Sequence, residues 1–327
     1  MMTTTTTTLL QLLRTLFRAS IIALALPACA AEGGREGGGD NLPDRGITGW
    51  ERSASDTTKP FVLTTEGMPL GGASAVVVAG QVLVYGHRVS AESTFELFRA
   101  EGDATGASFA APVPLGVAGH DPSVLRVDGR YWLAYVDAAN AIALATSSDG
   151  RTFTALATIG IAADRRGPSL VIEGDRMRLY LSTGTTLVHT EAVRSDAPSF
   201  GPEVEVLAPG IGCVDPSGVA EACWDEDAIV DAEVRRATTP TGGVVYRMFY
   251  AAHAGGDSDI GFAASYDGVT FERFPYNPVL TGTFDERSPT SVIAAGIYVL
   301  LWDESRSTTV GGLVRATHVP TAPSDRW

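Results

Sequence analysis

Five successive copies of one short-strand pattern, an Asp-Gly turn motif in phase with them, and almost no helical periodicity beyond residue 29 predict an all-β chain. At that repeat length, the pattern indicates a five-bladed β-propeller. An N-terminal strand is expected to complete the last blade and so close the ring.

Residues 1–29 come first and read as an export signal. Arg14 and Arg18 precede the apolar run ASIIALALPACA, which is too short to span a bilayer and ends in small residues. The sequence LPAC resembles a bacterial lipobox in which Cys29 takes the lipid, with an ordinary signal cleaved after ACA as the alternative. Residues 30–58, opening on AEGGREGGGD, read as a flexible tether, and residues 59–327 as the propeller domain. The expected location is outside the cytoplasm, as an envelope lipoprotein or a secreted protein.

The repeat itself is carried by turns and strands. ATSSDGRTF, from Ala145, and AASYDGVTF, from Ala263, share small residues, Ser, a spacer, Asp-Gly, a spacer and Thr-Phe. Asp-Gly supplies a tight turn with positive φ, and Thr-Phe begins the returning strand. Looser copies end at Phe109 and Phe200. Upstream of each turn lie three apolar runs: SAVVVAG, QVLVYGH and FELFRAE in the first copy; PSVLRV, RYWLAYV and AIALATS in the second; PSLVIE, RMRLYLS and TLVHTEA in the third. The fourth has AEVRRA, VYRMFYAA and DIGFAAS; the fifth has TSVIAAG, IYVLLWDE and GLVRATH, with no fourth strand. PFVLTTE, at residues 60–66, stands before the first copy without a blade of its own and is expected to fill that gap. A β-sandwich would accommodate the strands but not a turn repeated at fixed phase.

Charge and cysteine usage narrow the partners. A formal net charge of -14, with Lys59 the only lysine, excludes a nucleic-acid surface, which needs clustered Lys and Arg. Once Cys29 is assigned to lipid, Cys213 and Cys223 remain inside GIGCVDPSGVAEACWDED, an even pair that an oxidising compartment would join as a disulfide. Two thiols with no nearby His make a poor zinc site. No cofactor is expected, although acidic loop residues such as Asp257 and Asp259 leave calcium open. Membrane contact is expected only through the lipid anchor, and the protein is expected to be a monomer.

In a blade the innermost strand comes first, so residues just ahead of it gather at one mouth of the channel, and the Asp-Gly turns lie on the opposite face. Alignment on the second strands puts Asp121 level with Gly167, Asp231, Ser288 and Gly72. His120, Arg166, Glu233, Glu286 and Arg287 stand beside these positions, and His253 lies in a loop between second and third strands. Asp149 and Asp267 belong to the turns, and Trp132 and Trp302 to blade core.

The stretch DPSVLRVDGRYWLAYV, with the later SSDGRTF, resembles the five-bladed propellers of the arabinanase, β-xylosidase and invertase superfamily of glycoside hydrolases, family 43 above all. The likeness runs from about residue 60 to the C-terminus. It implies a funnel-shaped sugar site with an Asp base, a second Asp that tunes pKa and orients substrate, and a Glu acid. Glycoside hydrolysis needs one carboxyl group kept protonated and another ionised. Asp121 is then the expected base, Glu233 the acid and Asp231 the modulator, with His120, Arg166, His253, Glu286 and Arg287 contacting an oligo- or polysaccharide. The chain departs from the family pattern in its first and third blades, where GGASAVV and RRGPSL carry no acid. A carbohydrate-binding surface lipoprotein without turnover is the alternative function.

Overall fold

The computed structural model describes residues 51–52, 70–89, 94–162, 164–213, 219–220, 222–239, 241–281, 285–305 and 311–318. Cys29, its lipobox and the PFVLTTE segment lie outside the described residues. The chain divides into two compact units, one of Met1–Gly38 with Gly212–Glu221 and one of Gly39–Ile211 with Ala222–Trp327. All the strands below belong to the second.

In chain order these strands are β1 (Glu51–Arg52), β2 (Gly71–Val78), β3 (Gln81–Val89), β4 (Phe95–Glu101), β5 (Val113–Val127), β6 (Arg130–Asp137), β7 (Ile142–Ser147), β8 (Thr154–Thr158) and β9 (Arg166–Glu173). There follow β10 (Arg176–Ser182), β11 (Leu187–Val193), β12 (Val204–Leu207), β13 (Ala228–Thr238), β14 (Val244–Ala254), β15 (Asp257–Ser265), β16 (Glu272–Arg273), β17 (Asp285–Ala294), β18 (Ile297–Ser305) and β19 (Gly311–His318). Every pairing is antiparallel.

These strands form sheets β2-β3-β4-β5, β5-β6-β7-β8, β9-β10-β11-β12, β13-β14-β15-β16 and β17-β18-β19-β1. The long strand β5 serves two sheets, since its first half pairs with β4 and its second half with β6. The arrangement is all-β and propeller-like: β2, β5, β9, β13 and β17 touch in that order, and β17 touches β2 again. The strand on the free edge of β19 is Glu51–Arg52, with Glu51 opposite Thr317 and Arg52 opposite Ala316. The place expected for residues 60–66 is thus taken by Glu51–Arg52.

Apolar side chains alternate across the strands and fill five layers between successive sheets. Tyr85 and Leu97 pack against Leu133 and Tyr135, Trp132 and Leu144 against Met177 and Leu179, and Tyr180 and Leu187 against Met248 and Tyr250. Phe249 and Phe262 meet Leu300 and Trp302, and Val299 and Leu301 meet Val82 and Val84. Trp132 and Trp302 are therefore core.

On the face away from the site, the Asp-Gly turns are stapled to neighbouring sheets. Asp149 Oδ1 accepts from Ser147 Oγ and from the amides of Arg151 and Thr152, and Asp267 Oδ1 accepts from Ser265 Oγ and the amides of Val269 and Thr270. Tyr85 of β3 donates to the Gly150 carbonyl at 2.9 Å, and Tyr180 of β10 to the Gly268 carbonyl at 2.8 Å. These aspartates act as turn formers whose carboxylates satisfy backbone donors.

Candidate functional site

Each of the five inner strands carries the same bulge. Between Gly71 and Ser74, His120 and Ser123, Arg166 and Ser169, Val230 and Glu233, and Arg287 and Thr290, the inner strand advances by three residues while its partner advances by two. The extra residue has a left-handed backbone in every case: Gly72 (φ 56), Asp121 (φ 49), Gly167 (φ 53), Asp231 (φ 49) and Ser288 (φ 49). Gly adopts this conformation freely and Asp tolerates it, which accounts for the residue types at four of these five positions. The tripeptides Gly-Ala-Ser, Asp-Pro-Ser, Gly-Pro-Ser and Asp-Ala-Glu, with Ser288 and Pro289, line one axial cavity of about 40 Å³.

The third residue of each tripeptide points around the axis rather than into the mouth. Ser74 Oγ accepts the Val124 amide at 2.9 Å, Ser123 Oγ the Leu170 amide at 2.9 Å, and Ser169 Oγ the Val234 amide at 2.8 Å. Glu233 Oε2 accepts the Ser291 amide at 2.6 Å, and Thr290 Oγ1 accepts the Ala75 amide at 2.9 Å. The five bonds make an unbroken cycle that returns to the first sheet. Glu233 thus does the work that Ser or Thr does in the other four sheets. Its carboxylate also accepts from Ser291 Oγ (2.8 Å), Thr290 Oγ1 (2.5 Å), Arg235 Nε (2.9 Å) and Arg235 NH2 (2.5 Å). A carboxylate surrounded by five donors has the acceptor-only role of the ionised form, so this geometry does not suit the expected proton donor.

The first residue of each tripeptide does face the mouth. His120 Nδ1 lies 3.0 Å from Asp121 Oδ2, and the Asp121 amide donates to His87 Nδ1 at 3.3 Å. That bond makes Nδ1 of His87 an acceptor, as in the neutral imidazole, and burial lowers the pKa of His87. Burial alone would raise Asp121, but the hydrogen bond from His120, the neighbouring imidazoles and the Gly167 amide together hold it below the usual carboxylate range. Asp231 goes the other way. Burial, and then the negative charge of Asp121, push it up to about 6, with Arg287 and Ser288 opposing.

Gly167 stands between these two acids. Its amide helps to lower the pKa of Asp121, and its Cβ position lies 3.2 Å from Asp231 Oδ1. The glycines that replace acids in the first and third copies are thus sites of close approach. A Cβ at Gly72 would lie 2.6 Å from His87 Nδ1 and 2.9 Å from Asp121 Oδ1.

The other expected contacts divide. Arg287 is exposed and lowers the pKa of Asp231 from the rim. Arg166 is exposed at the start of β9, and His253 is half-buried near the end of β14, its pKa lowered by burial and by Arg287. Glu286 is fully buried, with its carbonyl accepting from Ser258 Oγ at 2.5 Å, so it cannot meet a sugar from solvent. That corrects its expected role: one residue before the bulge, strand alternation turns it inward. Asp303, which the end of the second strand of the fifth copy brings to the mouth, accepts the Gly72 amide on its Oδ2 at 2.6 Å. Cys213 and Cys223 are both disulfide-bonded. Among the described residues no group of three or more His, Cys, Asp or Glu is arranged to hold a metal ion.

No protein-family model and no curated protein matches the chain. Solved structures do. The catalytic domain of the Coprinopsis cinerea GH62 α-L-arabinofuranosidase superposes with a TM-score of 0.63 at 13% identity, covering 82% of this chain and 96% of that one. A glycosyl hydrolase from Bacteroides ovatus gives 0.60 at 16% identity, covering 87% and 97%. The endo-arabinase from Bacteroides thetaiotaomicron gives 0.55 at 14%, covering 81% and 98%. The chain therefore has an all-β fold related to the β-propeller glycoside hydrolases of the GH43 and GH62 type. At such identities the likeness is one of fold, and function has to be argued from the site.

Proposed function

We propose that the chain is an exported five-bladed propeller, its ring closed through Glu51–Arg52, that hydrolyses glycosidic bonds of an oligo- or polysaccharide at the axial mouth. One observation carries this reading: two half-buried aspartates, Asp121 and Asp231, face one cavity with their pKa values pushed apart. That is how a pair of carboxyl groups divides acid and base work. Asp121, ionised and oriented by His120, activates water or attacks the anomeric carbon. Asp231, protonated below about pH 6, gives its proton to the leaving oxygen. Arg287 and His120 supply donors for sugar hydroxyls at the rim. Glu233 holds the ring beneath them. The export signal, lipidation at Cys29 and an envelope or extracellular location belong to the same proposal, which suits a polymeric substrate met outside the cell.

The test is a screen of aryl arabinofuranosides, aryl xylosides and polymeric arabinan with the wild type, Asp121→Asn and Asp231→Asn. Product from the wild type and loss of about 100-fold or more in each variant is the expected result. Full activity in both variants would remove the assignment.

A second reading, sugar binding without turnover, is supported by the small volume of the axial cavity, about 40 Å³, which leaves most of a sugar ring at the rim rather than between the carboxylates. Arabinan binding that survives in wild type and both variants, with no product from any of them, would favour it.

A further inference from the structure

We propose that Asp303 is a third functional carboxylate of the axial site, a positioning residue that fixes the Gly72 bend where the last sheet meets the first. The inference rests on reading this cavity as a functional site, and it adds a residue from β18, a second strand, to a site otherwise built on inner-strand bulges.

The geometry begins at Gly72, the bulge residue of the first sheet. Around the axis, the Gly167 amide lowers the pKa of Asp121 and the Ser288 amide that of Asp231, each acting from the next sheet onward. The Gly72 amide has the equivalent duty toward the fifth sheet, where the bulge residue is Ser288. It is instead Asp303 Oδ2 that accepts this amide, at 2.6 Å. Asp303 reaches it because its backbone pairs with Arg287, next to the bulge. A third mouth carboxylate thus enters at the junction where the first sheet supplies none.

Asp303 is also wedged against the site residues. The Cβ position of Gly71 is 3.3 Å from both Asp303 Oδ2 and His87 Nε2, and that of Gly72 is 2.9 Å from Asp121 Oδ1. The Asp303 and Asp121 carboxylates are therefore no more than about 8 Å apart. By bonding the Gly72 amide, Asp303 fixes the left-handed bend against which His87 rests, and His87 in turn accepts the Asp121 amide.

The charged and titratable groups facing Asp303 are Asp121 from β5, Asp231 from β13, His87 from β3 and Arg287 from β17. Its other neighbours, Gly71 and Gly72 of β2 and Leu313 of β19, carry no charge. Its second oxygen, Oδ1, is buried with no hydrogen-bond partner. An ionised carboxylate with a bare buried oxygen and two aspartates for neighbours is unfavourable, whereas a protonated one is tolerable. Burial first, then Asp231 and Asp121, push Asp303 up to about 8 against the opposing Gly72 amide and Arg287.

A fold selected for stability alone would place an amide or an apolar group here. An acid kept neutral at a cost in stability is the pattern of a site residue.

The experiment is a pH titration of Asp 13Cγ resonances in wild type, Asp303→Asn, Asp121→Asn and Asp231→Asn, with thermal unfolding of the same proteins at pH 5 and pH 8.5. The proposal expects one carboxyl that titrates near pH 8, vanishes in Asp303→Asn and moves to lower pH in each of the other two variants. It also expects Asp303→Asn to raise Tm at pH 8.5 more than at pH 5. An Asp303 resonance indifferent to Asp121 and Asp231, or an Asp303→Asn protein destabilised equally at both pH values, would overturn it. None of these readouts requires turnover, so they stand whether or not hydrolysis is found. Where hydrolysis is found, Asp303→Ala is expected to lower kcat and Asp303→Asn to restore most of it, since the amide oxygen can still accept from Gly72. A kcat unchanged in Asp303→Ala would count against positioning.

Discussion

Glu233 accepts the Ser291 amide at 2.6 Å and, with Ser74, Ser123, Ser169 and Thr290, completes a cycle of five side-chain-to-amide hydrogen bonds around the axis. The cycle joins the last sheet to the first through Thr290 Oγ1 and the Ala75 amide. Removing Glu233 leaves buried donors on Thr290, Ser291 and Arg235 without their acceptor, and each unmet group carries a desolvation penalty.

Glu233→Ala is accordingly expected to lose about 3 to 5 kcal/mol in urea unfolding, because it also strands part of the Arg235 charge. Glu233→Gln, which keeps one acceptor oxygen, should lose less. Ser123→Ala removes a single bond to a partly buried amide and is expected to lose about 1 kcal/mol. Equal stability of all three variants would show that the cycle is not what holds the sheets together.

Gly150→Ala tests the stapled turns of the opposite face. Gly150 has φ 68, and a Cβ there would lie 2.6 Å from the Tyr85 hydroxyl and 2.8 Å from Tyr131. The backbone penalty of about 1 to 2 kcal/mol, with the clash added, should appear as a lowered urea midpoint. Substrate KM should be unchanged, since the turn is remote from the mouth.

Stability should fall as pH rises. Asp231 and Asp303 hold their protons to about 6 and about 8 when folded, while unfolded aspartates release theirs near 3.8. Between those limits the folded state binds more protons, so raising the pH favours unfolding. Asp121, Asp149 and Asp267, all lowered, work oppositely: their contribution is present above about 4 and disappears as pH falls through their folded values. Tm is therefore expected to peak near pH 4 and decline toward pH 8.5, and Asp231→Asn should flatten the decline between pH 4 and 6. A Tm that rises steadily to pH 8.5 would contradict these assignments.

Much of this was legible in the sequence. The alignment that set Asp121 level with Gly72, Gly167, Asp231 and Ser288 grouped the five residues that the structure shows in left-handed bulges, though nothing in it announced the bulge. The same alignment contained the answer for Glu233: Ser, Ser, Ser, Glu and Thr share the third position, so the Glu occupies a hydroxyl's place. A resemblance that asks for a Glu acid draws attention away from that comparison.

Asp303 was legible only as one of two acids that end the second strand at the mouth. It sits on a second strand beside Glu304, with nothing in DES to say which acid turns toward Gly72 and which inward. Register with Arg287 decides that, and it emerges only from pairing. The two-residue strand Glu51–Arg52 is too short to leave a periodic signal, so a longer apolar run nearby was the natural choice for the edge of β19.

The most direct test of the account is the pH dependence of kcat/KM on an arabinofuranoside or arabinan, for wild type and Asp231→Asn. The account predicts hydrolysis that declines above about pH 6 as Asp231 loses its proton, and that Asp231→Asn abolishes. Hydrolysis undiminished to pH 8, or retained by Asp231→Asn, would contradict it.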